Sequence, residues 1–168
     1  MTIKIEKGGI SMYYFAYGSN MDENDLNEWC KKQKRAFPRW KLLGIACLEN
    51  YKLVFNYYSS TRNGGAANLM EFPNSKVYGL LLEINNEYDL ETIRKKEGYP
   101  NYYDEIKVAA KCNNENIANV LTYKVVKNKE KLEHQKPTRY YMDLILNNAR
   151  KNGFPNEYIQ YLESIKTQ

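Results

Sequence analysis

The sequence predicts a single domain of the α+β class. Strand-like segments outnumber helical ones, and the helices fall between and after the strands instead of alternating with them. The 168 residues also match about one domain's length, with no internal repeat, low-complexity stretch or linker to divide them.

Residues 1–11 read as a short extension ahead of a domain spanning 12–168. Met12 to Tyr17 is aromatic-rich and too short for a helix, so it reads as a buried strand. Gly18-Ser19-Asn20 breaks it, and Asp22 stands where a helix N-cap belongs. Residues 23–35 fit a helix with Leu26, Trp29 and Cys30 on one face, a basic last turn and a stop at Pro38. Two strand-like runs lie within 40–57, and a polar loop, Ser59 to Asn63, leads into Gly64-Gly65. Strands are expected over 66–72 and 76–84. Residues 87–97 switch to helical spacing through Leu90 and Ile93, and Gly98 and Pro100 close that helix. Segments 102–112 and 117–126 flank Asn113-Asn114-Glu115-Asn116, the clearest hairpin signal in the chain. A charged connector, 127–136, precedes two terminal helices over 139–152 and 155–165.

Composition narrows the chemistry. There is one His, so a multi-histidine metal site is excluded and an imidazole triad is disfavoured. Cys30, Cys47 and Cys112 are odd in number and widely spaced, which reads as reduced thiols in a cytoplasmic protein, without a disulfide framework or a zinc motif. No apolar run approaches the roughly 20 residues of a membrane helix, and residues 1–7 lack a signal-peptide core. The net charge of +5 suits an anionic partner but is too small to indicate nucleic acid.

Two segments carry candidate chemistry. Tyr17-Gly18-Ser19-Asn20 joins a strand to a helix, where glycine permits close approach and backbone N–H groups form an anion site; an ordinary capped turn gives the same pattern. Glu97 lies four and seven residues after Ile93 and Leu90, on the apolar stripe and in the last helical turn. Desolvation and the helix dipole would both raise its pKa toward the range of a general base, whereas a frayed helix end would leave it solvated. Tyr99, Tyr102, Tyr103, Tyr140 and Tyr141 suit either a pocket wall or ordinary packing. Gly64-Gly65-Ala66-Ala67 fits a ligand approach or a bulge. His134, in the charged connector, reads as solvated.

Taken in order, these segments resemble the γ-glutamylcyclotransferase family, including its AIG2-like members. The resemblance rests on Tyr17-Gly18-Ser19-Asn20-Met21 after Tyr14-Phe15-Ala16, on Gly64-Gly65-Ala66-Ala67, and on Val77-Tyr78-Gly79. It continues through Glu97-Gly98 before Tyr102-Tyr103, Pro137-Thr138-Arg139-Tyr140, and Asn152-Gly153-Phe154-Pro155-Asn156-Glu157-Tyr158. It implies a mixed, barrel-like sheet with flanking helices and release of 5-oxoproline from a small γ-glutamyl compound, without metal or cofactor. It implies Glu97 as the catalytic acid/base, and Tyr17, Gly18, Ser19, Asn20, Tyr103 and Tyr140 as substrate-binding residues.

That chemistry suits the residues, because a γ-glutamyl group carries its own nucleophile and electrophile and needs only folding and proton transfer. Well-oriented intramolecular attack supplies about 7–11 kcal/mol of a barrier. Two rival readings keep the fold. One takes a γ-glutamylamine, or a γ-glutamyl group on an acidic carrier protein docked at Lys31 to Lys41. The other is a non-catalytic binding domain.

Overall fold

The computed structural model describes residues 11–168, so the expected extension lies, but for Ser11, outside the described residues. In chain order the elements are β1 (Met12–Ala16), a single 3₁₀ turn (Ser19–Met21), α1 (Glu23–Lys32), β2 (Trp40–Ser59), β3 (Gly64–Ile84) and α2 (Glu87–Glu97). They continue with β4 (Tyr103–Cys112), β5 (Glu115–Val125), a 3₁₀ turn (Lys127–Lys129), α3 (Arg139–Lys151) and α4 (Asn156–Ser164). The class is α+β, as the sequence predicts.

The five strands close into a barrel in the order β1-β3-β2-β4-β5. All neighbours are antiparallel except β1 and β5, which meet in parallel at Tyr14 and Leu121 and complete the ring. Closure removes the exposed sheet edges that an open sheet would have to protect.

β2 and β3 form one long ribbon where four shorter strands are expected. The breaks expected between those strands, around Asn50 and Pro73, are an irregularity inside it. Its register shifts between Leu42 and Gly44, Glu49 and Tyr51, and Val54 and Tyr57, and Asn50 takes φ 63° at the second of these. Each extra residue bends the strand and increases its twist, which lets a 20-residue strand curve around the barrel. The β4–β5 hairpin matches its prediction. Asn113 and Asn114, at φ 50° and 64°, supply the two left-handed positions of the turn that suits strand twist.

The helices start where their caps stand. Side chains of Asp22, Asn86 and Thr138 accept from the backbone N–H groups of Asp25, Asp89 and Tyr141, each cap contributing about 1 kcal/mol. α1 ends at Lys32, well before the expected stop at Pro38. Lys34, at φ 54°, turns the chain, with Lys34 N–H bonded to Lys31 C=O and Arg35 N–H to Cys30 C=O. A left-handed residue closing both orphan carbonyls ends the helix without proline.

The core joins barrel residues such as Phe15, Leu53, Leu69 and Leu81 to Leu26, Leu90, Ile93, Met142 and Ile145 from the helices. Leu90 and Ile93 are fully buried, each side chain contributing about 1.5–3 kcal/mol by leaving water. Their burial anchors α2 and thereby fixes the position of Glu97 at its end. The three cysteines are free thiols. Among the described residues, no helix is long and apolar enough to cross a membrane, and no cluster of His, Cys, Asp and Glu forms a metal site.

Candidate active site

Glu97 is the last residue of α2, and Gly98 caps the helix at φ 69°. Gly98 N–H bonds to Lys95 C=O, and Tyr99 N–H to Arg94 C=O. A Cβ on Gly98 would stand 2.7 Å from the Tyr102 ring, so glycine answers both the left-handed turn and the close approach. This sharp ending leaves the Glu97 carboxylate facing inward, along the stripe of Leu90 and Ile93. The residue keeps some exposed surface, while its carboxylate is enveloped by protein.

That carboxylate reaches a narrow cavity lined by Tyr14, Tyr17, Gly18, Ser19, Ala67, Tyr103, Tyr123 and Tyr141. Asn20 Nδ2 donates to Glu97 Oε1 at 2.9 Å and to Tyr14 Oη at 3.0 Å. The Tyr14 hydroxyl in turn donates to Glu97 Oε1 at 3.4 Å. Asn20 Oδ1 is buried and has no partner among the described residues. Burial is the main reason the Glu97 pKa is pushed up to about 7, against the opposing pull of Lys96, the Tyr14 hydroxyl and Arg62. The phenols of Tyr14, Tyr17 and Tyr103 are raised well above their usual 10, chiefly by burial, so they stand as neutral donors.

The tyrosines are held by the backbone around them. Tyr17 Oη donates to the Tyr123 carbonyl at 2.5 Å, and Tyr103 Oη to the Ala67 carbonyl at 2.8 Å. Ala67 N–H donates to Tyr141 Oη at 3.2 Å. A larger cavity of about 540 Å³ lies elsewhere, lined by Lys52, Phe55, Leu132, His134 and Tyr161 among others. It contains none of the residues around Glu97, and proton chemistry points to the smaller cavity.

Of the residues expected at the site, Glu97, Tyr17, Gly18, Ser19 and Tyr103 line the cavity, and Asn20 bonds to Glu97. Tyr140 does not join them: it is 66% exposed, and its neighbour Tyr141, 4% exposed, takes that place. Tyr102 is half exposed and faces outward, so Tyr103 is the tyrosine inside. α1 opens under the expected Asp22 cap, and the segment before it, Ser19–Met21, forms a 3₁₀ turn, which separates Gly18–Asn20 from the helix N-terminus. Gly65 serves the fold and not a ligand: a Cβ there would overlap the Gln135 carbonyl at 1.9 Å. His134 is exposed, as expected, with Nε2 2.9 Å from the Lys166 carbonyl.

Sequence reasoning missed a charged cluster beside the cavity. Arg62, in the β2–β3 turn, grips Asp25 with two nitrogens at 2.9 and 2.7 Å and donates to Ser19 Oγ at 3.2 Å. Lys96 Nζ lies 3.4 Å from Asp25 Oδ2, and its side chain is 8% exposed. Burial lowers the Lys96 pKa despite the nearby acids. Burial opposes ionisation of Asp25, yet Arg62 and Lys96 hold it below the usual carboxylate value.

A model of the AIG2-like family matches residues 76–162, just over half of the chain. The chain belongs to the AIG2-like family. It is 29% identical over 163 residues to the gamma-glutamylcyclotransferase of Bos taurus, covering 94% of this chain and 80% of that one. The gamma-glutamylcyclotransferase of Homo sapiens is 28% identical over 163 residues, covering 93% and 79%. A solved structure of a gamma-glutamyl cyclotransferase superposes with a TM-score of 0.79 at 25% identity, covering 95% of this chain and 90% of the other. Membership in the family thus extends to a shared barrel architecture, and these relatives are enzymes.

Proposed function

We propose that this family member is a cofactor-independent γ-glutamylcyclotransferase, acting in the cytoplasm on a small γ-glutamyl compound. The observation that carries the reading is Glu97: a buried carboxylate with a pKa of about 7, bonded to Asn20 and Tyr14 inside a cavity walled by tyrosines. A buried carboxylate of that kind is costly to fold around, and its pKa matches the task of a proton carrier near neutrality.

In the proposed reaction, Glu97 as carboxylate takes a proton from the substrate's α-ammonium. The freed amine attacks the γ-carbonyl carbon, forming the ring C–N bond and a tetrahedral oxyanion. Glu97 then gives that proton to the departing nitrogen as the γ-amide C–N bond breaks, and the second proton left on the ring nitrogen passes to the released amine, giving 5-oxoproline and the amine as its ammonium ion. Atoms and charge balance with no covalent enzyme intermediate. The neutral phenols of Tyr17, Tyr103 and Tyr141, with the turn at Gly18 and Ser19, supply the wall that folds the substrate into attack geometry. Tyr14 and Asn20 hold the carboxylate in place.

The test is a panel of γ-glutamyl dipeptides, γ-glutamylamines and glutathione, with 5-oxoproline measured by mass spectrometry. Release from at least one class supports the reading, and no product from any of them contradicts it.

A further inference from the structure

We propose that Arg62 is a positioning residue of this site, fixing the Ser19 hydroxyl in the cavity wall and holding a permanent positive charge beside the cavity that Glu97 lines. For what the cavity binds, the inference rests on the proposed function; its geometry stands independently.

Arg62 comes from the turn between β2 and β3, yet it ties together three other segments. Its guanidinium grips Asp25 of α1 in a two-point fork at 2.9 and 2.7 Å, reaches Ser19 Oγ at 3.2 Å, and lies 5.1 Å from the centre of the Tyr141 ring on α3. Its side chain is only 20% exposed. Two of the residues it touches, Ser19 and Tyr141, line the cavity. A planar fork fixes direction as well as distance, which a lysine ammonium does not.

The contact with Ser19 has a chemical consequence. A serine hydroxyl carries one proton, and arginine can only donate. With Arg62 occupying an acceptor lone pair of Ser19 Oγ, the Ser19 proton is left for an acceptor on the cavity side. Ser19 thereby becomes a donor to a ligand oxygen, and Arg62 sets that polarity.

Among the described residues, the charged groups around Glu97 are few. Lys96 lies on its own helix, Asp25 on α1 and Arg62 in the β2–β3 turn. The remaining titratable neighbours are neutral phenols: Tyr14 and Tyr17 from β1 and its end, Tyr103 from β4, Tyr123 from β5 and Tyr141 from α3. Asp25 is bonded to both cations, and positive charge there pulls against the burial that raises the Glu97 pKa. Lys96 is a weaker guarantor of that charge, because burial favours its neutral form. Arg62 keeps its charge at every working pH.

The experiment compares wild type with Arg62→Met and Arg62→Lys, each checked for folding by thermal melting. The first readout needs no substrate: carbon-13 NMR titration of the Glu97 carboxyl, assigned by its loss in Glu97→Gln. Arg62→Met is expected to move the Glu97 midpoint upward, and Arg62→Lys, which keeps the charge, to return it toward wild type. The second is turnover of γ-glutamylalanine, where losing the fork raises KM roughly tenfold in both variants, the size expected for one charge-assisted hydrogen bond. If Arg62→Met does not fold, Arg62→Gln replaces it, being neutral yet still a donor. An unchanged midpoint in the folded neutral variant, or an unchanged KM in an active Arg62→Lys, overturns the inference. A wild type inactive on γ-glutamyl compounds counts against the proposed function alone, because the titration still decides the role of Arg62.

Discussion

Asn20 Nδ2 lies 2.9 Å from Glu97 Oε1, a hydrogen bond that closes 77 residues of sequence. The two arrive by separate routes. Asn20 sits in the turn that leaves β1, and Glu97 ends a helix anchored by Leu90 and Ile93. Their meeting puts a carboxylate inside the protein with an amide donor to orient it and, among the described residues, without a cation bonded to it. That combination leaves the carboxylate reachable by a proton at neutral pH, where a directly paired one would stay ionised.

The pH dependence of turnover follows from the direction of that shift. Glu97 must be ionised to accept the α-ammonium proton, and its pKa is pushed up to about 7. The acid limb of the kcat/KM profile is therefore expected to rise through about pH 7, well above the range of a solvated glutamate. Initial rates of 5-oxoproline release between pH 5 and 9, in a buffer of constant ionic strength, measure it. A limb near pH 4 would mean that a different group carries the proton.

Stability should show the same group with the opposite benefit. A carboxylate whose pKa rises on folding favours the folded state below its unfolded value and loses that contribution as pH climbs through the folded value. The rise from the ordinary 4.5 to about 7 corresponds to roughly 3 kcal/mol, at about 1.4 kcal/mol per pH unit. Relative to Glu97→Gln, wild type is expected to lose roughly that much stability between pH 4 and pH 8. Urea unfolding of both proteins across this range gives the difference, and parallel pH curves would show that Glu97 is not desolvated.

Adjacent tyrosines should respond differently. Tyr141→Phe removes the acceptor for Ala67 N–H and leaves that buried donor unpaired, a cost of about 1–3 kcal/mol. It also alters the cavity wall, so kcat/KM is expected to fall by roughly tenfold. Tyr140→Phe touches an exposed side chain and should stay within about 0.5 kcal/mol of wild type, with activity unchanged. Denaturant unfolding and steady-state kinetics on both variants check the contrast. Equal effects would contradict the assignment of Tyr141 to the wall.

The sequence made Glu97 legible because two local signals coincide there, an apolar stripe at helical spacing and a glycine that ends the helix. The hairpin at Asn113-Asn114 was legible for a similar reason: two residues tolerant of left-handed backbone stand between strand-like runs. The β2–β3 ribbon was not, since Asn50 and the segment around Pro73 carry the chemistry of turns, and only barrel closure makes bulges of such irregularities. Tyr140 and Tyr141 differ by about 100° around a helix, and which one faces inward depends on how α3 docks. Counting back from Ile145 and Ala149 in steps of four reaches Tyr141, a signal available in the sequence. Arg62 had no such signal. It stands in a polar turn, and its partners Asp25 and Ser19 lie 37 and 43 residues away.

Whether Glu97 carries the proton is decided by one substitution. Glu97→Gln preserves shape and cannot accept a proton. With the fold verified by circular dichroism, 5-oxoproline release from the best γ-glutamyl substrate should fall by about 10²–10⁴-fold. A folded Glu97→Gln that releases 5-oxoproline at the wild-type rate would contradict the account.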